Sequence, residues 1–285
     1  MTDTMKNKTV LITGANSGIG RVAALALAKE GATLVMVSRD RARGEAALAD
    51  VKASTGNRSV ELLIADMSSM RQVRALALDF RKNHGQLHLL INNAGGIIGE
   101  RRVTEDGFEA TFAGNHLGPF LLTHLLLDLI KKSAPARVIN VASEAARGGS
   151  MDFADLHFEK GYNQLKAYAR SKLANVLFTR ELARRLDGCG VTAVAMHPGV
   201  VRTRFGETGG GFMRALIKIG APFLISPERG ADTMIWAATS PEAASLNGVY
   251  LIRRKVRTPP ALARDDEVAR KLWDVSAELT KLGAS

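Results

Sequence analysis

Over the first two thirds of the chain, short runs rich in β-branched residues and leucine alternate with longer helical patterns. Thr9–Thr13, Thr33–Ser38, Val60–Ala65, Leu87–Asn92, Arg137–Ala142 and Val191–Met196 read as strands. Arg21–Glu30, Arg43–Ser54, Met70–Asn83, Asp106–Lys132 and Gln164–Leu186 read as helices. The strands are nearly continuous in apolar residues, so both of their faces must be covered, and the intervening amphipathic helices are the cover. This restricts the fold to the α/β class, with one doubly wound parallel sheet. Right-handed crossovers then bring the C-terminal strand ends to one edge, where a ligand site forms. No repeat or low-complexity linker divides the chain, so one domain is expected over residues 1–285. The rhythm breaks at Val200–Ile225, where Gly209, Gly210 and Gly211 precede Phe212, Met213, Leu216, Ile217 and Ile219. A glycine hinge joined to an apolar segment suits a lid over an active site, and equally a core helix with a flexible entry.

Thr13-Gly14-Ala15-Asn16-Ser17-Gly18-Ile19-Gly20 directly follows the first strand and opens the first helix. Glycines there permit a tight turn and close backbone approach, and the helix N-terminus presents free N–H groups to a pyrophosphate. In this strand–turn–helix context the pattern predicts a dinucleotide site and a Rossmann fold. The cofactor half would span about 8–145, and the substrate half, with its lid, about 146–285. A carboxylate ending the second strand would accept from a ribose 2′-OH and repel a 2′-phosphate. Here Ser38 stands in that place and Arg39 follows, with Arg41 and Arg43 close by. Guanidinium groups suit a phosphate, so NADP(H) is expected over NAD(H), with Asp40 as a softening influence.

Tyr168 and Lys172 lie one helical turn apart on one face of a helix. A free phenol titrates near about 10, and a fixed cation beside it favours the phenolate. Lys172 is therefore expected to pull Tyr168 toward the working range of an acid–base group.

The glycine spacing, Asn92-Asn93-Ala94-Gly95, Asn115 on the next helix, Ser143 after the fifth strand, Tyr168 with Lys172, and Pro198-Gly199 with Thr203 occur in one order on the expected elements. Together they resemble the short-chain dehydrogenase/reductase superfamily over nearly the whole chain. Asp106-Gly-Phe-Glu, Asn115-His-Leu-Gly-Pro-Phe-Leu-Leu-Thr and Ala167-Tyr-Ala-Arg-Ser-Lys-Leu-Ala-Asn-Val-Leu-Phe are similar to the retinol dehydrogenase and WW-domain oxidoreductase branch. Pro119 stands where that branch usually has histidine. The resemblance implies a catalytic group of Asn115, Ser143, Tyr168 and Lys172. It implies cofactor contacts from Gly14, Asn16, Ser17, Gly18, Ile19, Gly20, Arg39, Asp66, Met67, Asn92, Ala94, Gly95, Tyr168, Lys172, Pro198, Gly199, Val201 and Thr203. In that reading Ser143 fixes the substrate oxygen, Tyr168 moves its proton, Lys172 holds the nicotinamide ribose, and Asn115 holds a water that links Lys172 to solvent. Long helices of this kind pair between subunits in the family, which implies a homodimer or homotetramer.

Composition narrows the partners. The net charge of +11 comes with 5% aromatic residues and no basic block interleaved with aromatics, which argues against nucleic acid. Arg253, Arg254, Lys255 and Arg257 form the densest basic cluster, read as solvated surface or a peripheral membrane contact. No apolar run is long enough to span a membrane, and a first strand beginning by Lys8 leaves no room for a signal peptide or an N-terminal anchor. With Cys189 as the single cysteine, a reducing cytoplasm is expected. The six histidines show no metal-ligand spacing, so no metal is expected; His116, beside Asn115, is the one candidate for the pocket, with a satisfied helix histidine as the favoured reading.

These readings predict an NADP(H)-dependent oxidoreductase interconverting carbonyl and alcohol on a lipophilic substrate such as a retinoid, steroid or aldehyde. The apolar stretch Phe205–Ile225 would wall the pocket. A different class of reading is a catalytically silent NADP(H)-binding regulatory protein, which has no need of Ser143, Tyr168 and Lys172 together. A light-dependent protochlorophyllide-type reductase is a third, though it usually brings further cysteines near the pocket.

Overall fold

The computed structural model describes residues 4–201 and 224–282. Its sheet has eight strands: β1 (Thr9–Thr13), β2 (Thr33–Ser38), β3 (Val60–Ile64), β4 (Leu89–Asn92), β5 (Ala136–Val141), β6 (Val191–His197), β7 (Val249–Ile252) and β8 (Lys255–Arg257). The order is β3-β2-β1-β4-β5-β6-β7-β8; β1 to β7 are parallel and β8 is antiparallel to β7. Chain direction across the sheet reverses between β1 and β4, so the crevice beyond their C-terminal ends is the switch point at which such sheets bind ligands.

Helices α1 (Gly18–Lys29), α2 (Arg41–Thr55) and α3 (Met70–Asn83) connect the first four strands. Then come α4 (Ala110–Phe112), α5 (Gly118–Leu125) and α6 (Leu127–Lys132), the long α7 (Gln164–Arg185), α8 (Pro227–Thr239) and α9 (Asp266–Leu279). Alternation along the strands sorts the core into two layers. Val10, Ile12, Leu34, Met36, Ile91 and Ile139 face α1, α2 and α8. Leu11, Val35, Leu90 and Val138 face α3, α5, α7 and α9. Helix α1 begins at Gly18, inside the glycine turn, three residues before the expected Arg21. Its first N–H groups are thereby placed at the switch point.

The expected helix Asp106–Lys132 is corrected. Gly107 takes a positive φ of 85° in a turn, and the helix starts at Ala110 behind Glu109, whose carboxylate accepts from Thr111 N and Phe112 N. Ala113–Leu117 is then a π-turn before α5. Pro119 has no N–H for the Asn115 carbonyl four residues back, so regular α-helical bonding cannot run through this point. Gly118 fits here because a Cβ would strike the Met67 carbonyl, which seats the helix against the loop after β3.

The basic cluster is a hairpin: Arg253 and Arg254, with φ of 50° and 59°, turn the chain from β7 to β8. Arg254 makes a paired contact with Asp232, and Lys255 and Arg257 stand exposed on the edge strand, where charge protects against unwanted pairing. No helix among the described residues is long and apolar enough to cross a membrane. The expected lid over Val200–Ile225 lies outside the described residues for positions 202–223, and Thr203 with it.

Candidate active site

A cavity of about 1150 Å³ opens along the C-terminal strand edge at the switch point. The glycine turn supplies one wall through Gly14, Asn16, Ser17, Gly18, Ile19 and Gly20. Its glycines are required by space. A Cβ at Gly14 would lie 2.9 Å from the Ala94 Cα, and one at Gly20 would strike the Gly14 carbonyl. Arg39, Asp66 and Met67 close the far end, and Ala94, Gly95, Pro198, Gly199 and Val201 line the middle.

Asn92 departs from expectation. Its side chain is buried beneath the sheet, donating to Thr123 Oγ1 at 3.0 Å and Asn140 Oδ1 at 2.8 Å. Strand alternation turns it away from the cavity and turns Asn93 toward it. Asn93 donates from Nδ2 to the carbonyls of Thr13 and Gly14 at 2.8 and 3.1 Å, and so braces the glycine turn. The alternation of β4 was the signal that could have separated the two.

The far end is basic. Ser38 is buried, and its hydroxyl donates to the Asp40 carbonyl within its own turn. Asp40 caps α2 and pairs with Arg43, 3.0 Å from Nε to Oδ2; the Arg43 backbone N–H, more than any other group, holds its carboxyl below the usual range. Asp40 is thus engaged locally. Arg39 is exposed, lines the cavity and makes no ion pair among the described residues.

Ser143, Tyr168 and Lys172 meet on the opposite wall, with Asn115 behind them. Ser143 hydrogen-bonds the Tyr168 phenol and caps the short helix that follows it by accepting from Ala145 N at 3.2 Å. Asn115 in the π-turn clamps Gly96, accepting from its N–H at 2.8 Å and donating to its carbonyl at 2.9 Å. It also donates to Ser171 Oγ at 2.9 Å. Both hydrogens of the Asn115 amide are thus used in tying the loop after β4 to α7. A Cβ at Gly95 would lie 2.9 Å from Asn115 Oδ1 and 3.3 Å from Lys172 Nζ, so glycine leaves this corner open.

In the cofactor-free site, burial dominates both Tyr168 and Lys172. Lys172 Nζ donates to the Val141 carbonyl at 2.9 Å and stands 5.7 Å from the centre of the Tyr168 ring. Burial pushes Tyr168 up to about 12, offset in part by the Ser143 hydrogen bond. Burial pulls Lys172 down to about 8. Desolvation outweighs the cation on the phenol, because the ammonium is aimed at a carbonyl.

Arg102, Thr111, Gln164 and His197 also line the cavity. Gln164 lies one helical turn before Tyr168, a spacing that could have revealed it. The other three come from a loop (Arg102), the short helix α4 (Thr111) and the end of β6 (His197), which only the fold brings together. His116 is not a wall residue: it is fully buried among Phe112, Phe120 and Phe178. Among the described residues, no group of acidic, histidine or cysteine side chains could hold a metal.

Residues 8–209 match the family model described as short chain dehydrogenase. The chain is 44% identical to retinol dehydrogenase 13 of Homo sapiens over 287 residues, covering 99% of this chain and 87% of that protein. A solved structure from Mycobacterium Paratuberculosis superposes with a TM-score of 0.79 at 33% identity, covering 97% of this chain and 94% of that one. The Pseudomonas aeruginosa RhlG/NADP active-site complex gives a TM-score of 0.70 at 25% identity, over 88% and 96% of the two chains.

Proposed function

Because the chain belongs to the short-chain dehydrogenase family, in its retinol dehydrogenase-like branch, and is an oxidoreductase of CH–OH groups, we propose that it reduces or forms a carbonyl on a lipophilic substrate with NADP(H). One observation carries the reading: Ser143, Tyr168 and Lys172 share a wall of the cavity whose other wall is the glycine turn. The cradle suits a dinucleotide, since the glycine turn lines the cavity and opens α1 at Gly18 beside it. The α1 N-terminus would hold the pyrophosphate, and Arg39 the adenosine 2′-phosphate. When bound, the nicotinamide supplies the hydride.

The chain's own groups do the rest. Ser143 holds the substrate oxygen, and its bond to the phenol keeps Tyr168 within reach of the same atom. In the reductive direction Tyr168 gives its proton to that oxygen; in the oxidative direction it takes one. With the phenol up at about 12, it is poised as a donor until positive charge is brought closer. Lys172 would hold the nicotinamide ribose when the cofactor is bound, and would supply that charge. The lipophilic substrate is supported by the apolar residues of Phe205–Ile225 and by the retinoid named in the human relative.

The test is a panel of retinal, steroid ketones, medium-chain aldehydes and quinones, with NADPH or NADH followed at the nicotinamide absorbance. NADPH oxidation with at least one lipophilic carbonyl, and a preference over NADH, is the expected result. Tight NADPH binding without turnover of any substrate would move the protein to the class of cofactor-binding regulators.

A further inference from the structure

Behind Lys172 the fold buries polar groups that the proposed chemistry does not use. Asn175, on the next stretch of α7, is 4% exposed. Its Nδ2 donates at 3.2 Å to the Val141 carbonyl, the oxygen that also accepts from Lys172 Nζ at 2.9 Å. Its Oδ1 is buried without a partner of good geometry, and so is Nδ1 of the fully buried His116. The two groups act on each other: burial pushes His116 down to about 3, and the Asn175 amide works in the opposite direction. The other ring nitrogen, Nε2, sits 2.8 Å from Ser276 Oγ on α9.

One arrangement satisfies all of these atoms. With the hydrogen on Nδ1, the ring donates to Asn175 Oδ1, and Nε2 accepts from the Ser276 hydroxyl. With the hydrogen on Nε2, two bare acceptors would face each other in a dry interior, which proteins avoid. The Val141 carbonyl fixes the other end of the amide, because only Nδ2 can donate to it.

We propose that His116 and Asn175 are a positioning pair for Lys172: the ring orients the amide, and the amide keeps the Val141 carbonyl paired when Lys172 turns away from it. This rests on the reading of Lys172 as the ribose-binding lysine. In the cofactor-free state the carbonyl has both donors. Once the ammonium leaves, Asn175 remains, so cofactor binding does not strip a buried acceptor. Neither residue touches the reacting atoms, and the pair also ties α9 to the site through Ser276.

The tautomer can be read directly on the wild-type, cofactor-free protein by nitrogen NMR of labelled histidines. The expected His116 signal is that of a neutral ring protonated at Nδ1; a ring protonated at Nε2 overturns the pair, whatever the enzyme catalyses. The second measurement is NADPH titration by fluorescence. Asn175→Leu keeps the volume but not the donor, and its dissociation constant is expected to rise about tenfold, the scale of one lost hydrogen bond. His116→Asn places an amide donor where Nδ1 was and should bind NADPH within about twofold of wild type. His116→Gln places its amide at Nε2 instead and should resemble Asn175→Leu. Equal affinities for the Asn and Gln variants would overturn the proposal. Should the variants fail to fold, the wild-type tautomer decides alone. If wild type binds no NADPH, the proposed function falls while the tautomer result still stands.

Discussion

The two faces of the sheet are filled differently. Under α1, α2 and α8 the filling is Val, Ile, Leu, Met and Ala. Its polar members are few: Ser38 and Thr233 are buried there, and Arg137 near the N-terminal strand edge donates from its guanidinium to the carbonyls of Ala237, Ala243 and Ala244. Under α5, α7 and α9 the apolar core is threaded by Asn92, Thr123, Asn140, Asn175, Thr179 and His116. Asn140 joins the series by accepting from Asn92 and donating to Thr179 Oγ1 at 2.9 Å. Buried amides destabilise unless they are paired. Lys172 lies on this face too, and shares the Val141 carbonyl with Asn175. Among the described residues no carboxylate offsets its burial, and its ammonium is held by a neutral carbonyl. A carboxylate would pin the ammonium and raise its pKa, whereas neutral dipoles leave it able to move. One face is built for stability and the other for placing a charge.

The largest effect is expected on the polar face. Lys172→Ala should lower turnover at least about a thousandfold, within the range for loss of acid–base function. It should also weaken NADPH binding about tenfold by removing a ribose contact. Steady-state kinetics and fluorescence titration separate the two. On the apolar face, Leu27→Ala should cost about 3 kcal/mol in urea denaturation, as buried leucine truncations do. Its kcat and KM for NADPH should stay at wild-type values, and a shift in KM would erase the distinction between the faces.

Arg39 lies outside both layers. Arg39→Leu should weaken NADPH binding by roughly 2 kcal/mol, the scale of a charge-assisted contact, and leave NADH binding unchanged. Parallel loss of both would mean that the guanidinium only shapes the pocket.

The smallest effect concerns pH. The folded value of His116, about 3, lies below its unfolded value, so the unfolded chain takes up the proton first as pH falls. The stability this neutral ring gives is therefore present above about pH 6.5 and is lost progressively below it. Between pH 7.5 and 5.5 wild type should lose about 1 kcal/mol more than His116→Asn, measured by urea denaturation. Equal slopes would show that the ring is hydrated.

The first six strands and α1 to α3 were legible because their apolar spacing is regular. β7 and β8 were not: one is four residues long and the other is Lys-Val-Arg, exposed throughout. The break near Asn115 was hidden because apolar residues continue through it, although Pro119 was a visible mark. The glycine turn and the Tyr168–Lys172 pair were legible from spacing, whereas Ser143 came only from the family resemblance. Burial was not legible, and it is burial rather than Lys172 that sets the direction of the Tyr168 shift. Pairing of His116 with Asn175 was equally hidden, since it joins two helices across the core.

The central claim is that Tyr168 is the proton donor in a site that binds NADP(H) independently of it. Tyr168→Phe removes only the hydroxyl. NADPH titration paired with turnover of the best carbonyl substrate should show affinity within about threefold of wild type and turnover lowered about a thousandfold. Retention of most of the turnover would contradict the account.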